Sequence, residues 1–222
     1  MASEQPPHEL EIGGSTIVLL GGFNPRIFQP MWFEARGLLA DVDVDPNSLV
    51  LTDGFVAFET GVVGVFCARD RCQFATTDKT PTPDIIRDLA VGTFTFLGET
   101  PVWEVGVNHA AHIPRQSRRW DDVVAQFGDP QKSLVLLTDQ ALQTVALVAP
   151  RDDGRQGQRT VQLQPSARLE EGVWFTMNDH VVVHSLDARE SIGAKEAVEA
   201  IEGIWDRSRE LSDEIRKRLA SR

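Results

Sequence analysis

Apolar residues recur at helical spacing in four stretches of this chain and alternate with polar ones through most of the rest. The clearest stripe is Trp120, Val123, Val124 and Phe127, at i, i+3, i+4 and i+7, which predicts a helix over 117–127 closed by Gly128-Asp129-Pro130. A second helix is marked by its start. Thr82 suits the N-cap, Pro83 the first helical position and Asp84 the positive end of the dipole; Ile85, Ile86, Leu89, Thr93 and Phe96 then share a face. Asn24-Pro25 and Gln29-Pro30 give two successive starts, hence a short turn over 24–28 and a helix over 30–39 that buries Trp32, Phe33, the Arg36 stem and Leu39. The last helix is predicted over 194–219, with Val198, Ile201, Trp205, Ser208, Ser212, Ile215 and Leu219 in a narrow stripe close to a heptad seam.

Between these lie β-branched, alternating segments bounded by turn residues. They predict strands over 15–20, 48–59, 62–77, 102–113, 133–137, 142–149, 160–165 and 173–184, with Asp153-Gly154 at a hairpin tip. Two strands share a cadence, Trp103-Glu-Val-Gly-Val-Asn108-His109 and Trp174-Phe-Thr-Met-Asn178-Asp179-His180, which suggests duplication. The order through residue 113 is β-α-β-β-α-β, and from 102 a β-α-β-β-β-α pass follows. The predicted fold is α+β: two tandem ferredoxin-like (split βαβ) modules forming one antiparallel sheet with helices on one face, plus a long C-terminal helix. The corresponding division is a flexible leader over 1–13, a first module over 14–113, and a second over 114–222.

Composition narrows the trades open to such a fold. The net charge is −11, and residues 1–110 hold 15 acidic and 6 basic side chains, so the acidity sits in the first half. A negative field there repels phosphate backbones and anionic lipids, which disfavours nucleic acid and membranes as partners. Arg115, Arg118 and Arg119, with Arg151, Arg155 and Arg159 as a looser group, are read as solvated faces before they are read as phosphate sites. Tyrosine is absent, which removes one common catalytic acid. The start of the chain has neither a basic n-region nor an apolar h-region, and no apolar run is long enough to span a bilayer, so a cytoplasmic location is expected. Cys67 and Cys72, five apart in one long strand, would face opposite sides; two unpaired thiols fit a reducing compartment.

Candidate chemistry is sparse. His180 and His184 share a strand face but stand roughly 13 Å apart at about 3.3 Å per residue, too far for one ion. A site of His109, His112, Asp179 and His180 would need their strands to be neighbours, and surface or loop-facing polar residues are the simpler reading. Asn108 and Asn178 read as strand terminators that satisfy turn backbone. Cys67 lacks the base and cationic setting of a nucleophile. Gly13-Gly14 and Gly21-Gly22 have no phosphate-loop continuation, and Asp41, Asp43 and Asp45 lack the Gly and distal Glu of a calcium loop. No catalytic residue, metal site or cofactor is expected.

The run Phe23-Asn24-Pro25-Arg26-Ile27-Phe28-Gln29-Pro30-x-Trp32-Phe33, the segment from Ile86-Arg-Asp-Leu89 to Phe96-Leu97, and the paired Asn/His strands resemble a poorly characterised, sporadically distributed family of bacterial cytoplasmic proteins. The resemblance implies a duplicated α+β chain of bacterial origin, from a mobile or accessory gene neighbourhood, and carries no activity. It marks Asn24, Pro25, Phe28, Gln29, Trp32, Asn108, His109, Asn178 and His180 as signature positions without a role. The functional expectation is a non-enzymatic interaction or assembly subunit that meets a protein partner or a second copy through its sheet face or its C-terminal helix. On the helix, Trp205, Ser208, Ser212, Ile215 and Leu219 are the expected contacts, because small residues let a second helix approach. The alternative is an RNA- or nucleotide-processing enzyme with His109 or His112 as acid/base and Arg115 as phosphate clamp. No small-molecule ligand is indicated.

Overall fold

Burial alternates along the strands: Val105, Val107, Ala111 and Ile113 in one, Val173, Phe175, Met177 and Val181 in its neighbour. That period of two is the signature of a sheet with one packed face. The structure is a computed structural model and describes residues 12–40, 43–114, 120–125, 142–170, 172–184 and 193–220. Its strands are β1 (Ile12–Gly21), β2 (Val50–Leu51), β3 (Phe55–Glu59), β4 (Val63–Ala68), β5 (Arg71–Thr76), β6 (Val102–Pro114), β7 (Val145–Pro150), β8 (Gly157–Pro165) and β9 (Gly172–Val182). A 3-10 turn (Pro25–Ile27) and the helices α1 (Pro30–Ala35), α2 (Asp84–Phe96), α3 (Trp120–Ala125) and α4 (Lys195–Ala220) complete the set. None of these helices is long and apolar enough to cross a membrane.

All nine strands join one sheet in the order β2-β3-β4-β5-β1-β6-β9-β8-β7, and every pair is antiparallel. Read outward from the central β1–β6 pair, the two sides match except for the two-residue β2 added at one edge: a leading strand, then three strands of a meander taken from last to first. Each side also has a helix after the leading strand and another after the meander. The α+β class, the antiparallel sheet and the long C-terminal helix are therefore as expected.

The finer topology differs in one respect. In a split βαβ unit a single strand lies between the first strand and the strand that follows the crossover helix, whereas here β3, β4 and β5 lie between β1 and β2. β6 pairs with both β1 and β9 and so joins the two halves of the sheet.

All four helices lie on the packed face. Phe23, Phe28, Phe33, Phe58, Phe74 and Phe94 form a chain of ring contacts 5.8–6.4 Å apart beneath α1 and α2. Burial stabilises by roughly 1.5–3 kcal/mol per large apolar side chain. Helix α4 buries Ala197, Ala200, Ile201, Ile204, Trp205, Ser208 and Ser212 along β6 and β9. Trp205 Nε1 donates to Asp84 Oδ1 at 2.7 Å, and Arg209 Nη1 reaches both oxygens of that carboxylate at 3.1 and 3.2 Å. Asp84 opens α2, so one carboxylate serves the dipole of α2 and the docking of α4 together. The Trp205 hydrogen bond, aided by Thr82, Arg209 and Arg87, holds its pKa below the usual range.

Local departures have local causes. Helix α1 stops at Ala35 instead of continuing to 39, because Gly37 turns into the left-handed region at φ 67°. Arg36 lies exposed, its guanidinium over the Trp32 and Phe96 rings at 5.9 and 5.4 Å, so its stem is not buried. In α2, Phe96 is 54% exposed and Phe94 fills the core in its place. The long strand expected over 62–77 folds back at Arg69-Asp70 into β4 and β5. The strand expected over 133–137, most of the 117–127 helix, and residues 1–11 of the leader lie outside the described residues.

Candidate interaction face

The outer face of the sheet, opposite the packed one, carries none of the described helices. Across it, register sets side chains in rows. Ala75, Thr16, Asn108, Asn178, Thr160 and Val148 form one row over six strands. Ala110, Thr176, Gln162 and Ala146 form the next, and His112, Trp174 and Gln164 form another beyond it. Asn178 Nδ2 donates to Asn108 Oδ1 at 2.6 Å, and Asn108 Nδ2 reaches Thr16 O at 3.4 Å. The two asparagines are thus partners in mid-strand and do not terminate strands. His112 stacks on Trp174 with ring centroids 4.3 Å apart and shares a hydrogen bond through Nδ1 with Ser166 Oγ at 2.8 Å.

At the centre of this face Gly106 leaves a hollow of about 260 Å³, rimmed by Val18, Leu20, Arg71, Asn178 and the pair His180 Nε2 and Glu104 Oε2, 3.0 Å apart. A Cβ on Gly106 would stand 3.2 Å from Asn178 Nδ2, so glycine keeps the hollow open. Among the described residues of the nine strands, Arg71, Glu104 and Glu59 are the charged side chains on this face. In a chain that is 25% charged with a net charge of −11, that depletion is the face's main property.

The opposite face uses its polar groups internally. His109 is 5% exposed and shares a 2.9 Å hydrogen bond through Nδ1 with Ser15 Oγ, while its ring lies 6.0 Å from that of Trp205. Burial pushes its pKa down to about 4, so the imidazole is neutral at physiological pH. Ser15 and His109 border a polar cleft of about 560 Å³ where β1 outruns β5, with Arg168 and Arg216 across it. His109 and His112 lie on opposite faces and so cannot act together; Arg115, with Arg118 and Arg119, lies outside the described residues. Asp179 shares the inner face with His109, whereas His112 and His180 sit on the outer one, so the four do not converge. His184 faces Glu196 at 3.5 Å.

Asp179, fully buried between Met177 and Val181, is held by Arg151 and Arg159, the latter through Nε at 3.3 Å to each oxygen. Arg151 also binds Asp153 at 2.5 Å, and Arg159 binds Asp152 at 2.5 Å. The Arg151 hydrogen bond pulls the Asp153 pKa down to about 2. Arg151 and Arg159 are therefore neutralised in a structural network and are not a solvated basic patch. Arg155 packs beside Gly203 of α4, where a Cβ would come within 2.7 Å of its Nη2.

The stripe on α4 expected to meet a partner is turned inward. Trp205, Ser208 and Ser212 are buried against the chain's own sheet, and Ile215 and Leu219 pack on the second apolar cluster around Phe175. The signature positions near the start serve the corner after β1. Asn24 Oδ1 accepts from Arg26 N at 3.2 Å, Pro25 opens the 3-10 turn, Gln29 precedes α1, Phe28 is buried, and Trp32 packs edge-on against Phe33. Ser15, Thr16, Glu104 and Gly106 escaped sequence reasoning, since only strand register gives them partners. Asp179 was singled out for the wrong role, and its ion pairing could have been inferred: an acid at a buried position of a strand requires a counter-charge. Compared with known proteins, the chain matches no family model and no curated sequence.

Proposed function

We propose that this protein is a non-enzymatic assembly subunit that pairs with a second copy of itself through the sheet face that none of the described helices covers. The observation behind this reading is the depletion of charge on that face together with Trp174, Phe55, Phe66, Val18 and Leu20 among its amides and hydroxyls. Interface centres are distinguished by lost charge and gained aromatic side chains, more than by bulk hydrophobicity. Two twisted sheets pack face to face at about 10 Å. Seven strands at about 4.8 Å spacing and about 17 Å of strand length give on the order of 600 Å² in projection, near the ~800 Å² per partner of a standard interface once side-chain relief is counted. Arg71 and Glu104 flank Leu20 with opposite signs, which suits an isologous contact in which each meets the other's copy. We read the two matching halves as sibling modules in a chain of the bacterial, cytoplasmic kind.

Sedimentation equilibrium tests the pairing. The intact chain is expected at twice its 24.6 kDa mass. Thr176→Arg, in the middle of the face and away from the packed core, is expected to weaken association by at least about 2 kcal/mol, roughly thirtyfold, with an unchanged circular dichroism spectrum. A monomeric wild-type chain, or a variant that dimerises as well as wild type, rules the proposal out.

A further inference from the structure

The β4–β5 hairpin places Cys67 and Cys72 opposite one another as cross-strand partners. Both are on the packed face, both are free thiols, and both are fully buried. The odd spacing that would separate them along one strand instead brings them together, because the chain reverses at Arg69-Asp70. Directly opposed residues of an antiparallel pair have Cα atoms about 4.5 or 5.5 Å apart. Both distances lie within the roughly 4.4–6.8 Å window in which disulfides form. Burial, with the hydrogen bond between the two thiols next in importance, raises the Cys72 pKa well above its ordinary value. The native thiols are therefore slow to react but face each other.

We propose that Cys67 and Cys72 are a cross-strand dithiol that closes to an intramolecular disulfide when the chain equilibrates with a small disulfide such as oxidised glutathione. One cysteine, as thiolate, attacks a sulfur of the glutathione disulfide. A mixed disulfide forms and one glutathione leaves as its thiolate. The second cysteine then attacks the protein sulfur of that mixed disulfide and expels the second glutathione. Two protein S–H bonds are lost, one S–S bond is gained, and one glutathione disulfide is reduced to two thiols. The buried setting routes this exchange through transient opening of the hairpin.

The bond would pin more than two strands. The hairpin tip holds the exit of β1, because Asp70 O accepts from Gly21 N at 3.1 Å and Arg69 O accepts from Phe23 N at 2.8 Å. Phe23 anchors the aromatic chain through Phe28 and Phe94. Oxidation therefore clamps the corner from which the 3-10 turn and α1 depart.

The test is a glutathione titration of the full chain, approached from the reduced and the oxidised side, quenched with acid, alkylated and read by mass spectrometry and peptide mapping. The expected product has lost two hydrogen atoms and carries a Cys67–Cys72 linkage. Its midpoint should lie at a glutathione redox ratio at least about tenfold more reducing than that of the same chain unfolded in urea, since the fold pre-aligns the thiols. Cys67→Ala and Cys72→Ala, each with one thiol left, should form no such species. A native midpoint no more reducing than the unfolded one overturns the proposal. So do products that are only glutathione adducts or intermolecular dimers.

Discussion

Removal of residues 194–222 is expected to leave a chain that no longer melts cooperatively. Helix α4 covers the inner face of β6 and β9, and its loss exposes Ile201, Ile204 and Trp205 from the helix side together with their partners on the strands. At roughly 1.5–3 kcal/mol per large apolar side chain, counting both sides, the loss is on the order of 10 kcal/mol, comparable to the whole net stability of a typical domain. It also strips Asp84 of the Trp205 and Arg209 donors. Near-ultraviolet circular dichroism and calorimetry of the truncated chain check this. A cooperative melt within a few degrees of the intact protein would mean that α4 is an appendage free to meet a partner, contrary to its burial here.

The second large effect is expected at Asp179. Its carboxylate neutralises Arg151 and Arg159, whose side chains are 1% and 11% exposed. Asp179→Asn leaves Arg151 dependent on Asp153 and Arg159 on Asp152, and breaking such a buried pair costs about 3 kcal/mol or more. In a chain of this length that corresponds to a melting temperature lower by roughly 6–12 °C. Asp179→Leu combined with Arg151→Met is expected to recover much of the loss, because a buried ion pair contributes little over apolar replacements of similar volume. Denaturation curves of the three proteins decide it. Equal stability of Asp179→Asn and wild type would show that the network has no energetic weight.

Local periodicity made the elements legible. The strand expected over 102–113 emerges as β6, and the helix announced by Thr82-Pro83-Asp84 emerges as α2, with Asp84 N still donating to Thr82 Oγ1 at 3.4 Å. The Asp-Gly tip appears with Gly154 at φ 76°. Pairing was not legible, since nothing local announces that residues 70 apart will meet. Asn108 and Asn178 looked like strand ends until β6 and β9 came into register. A charged triplet, Arg69-Asp70-Arg71, was the one local sign that a long strand would turn back and bring Cys67 to Cys72. The α4 stripe was legible as a buried face, but its covering surface was not: a heptad-like seam looks the same whether it meets a sheet of its own chain or another helix. The outer face was the least legible of all, because depletion of charge becomes visible only after every strand has been assigned a side.

Hydroxyl-radical footprinting over a range of protein concentrations asks directly which face associates. Trp174, half-buried on the outer face, is expected to become protected as concentration rises, while Met31, 78% exposed on the helix side, keeps its reactivity. Protection of Met31 with Trp174 unchanged, or no protection at either residue, would contradict pairing through the sheet.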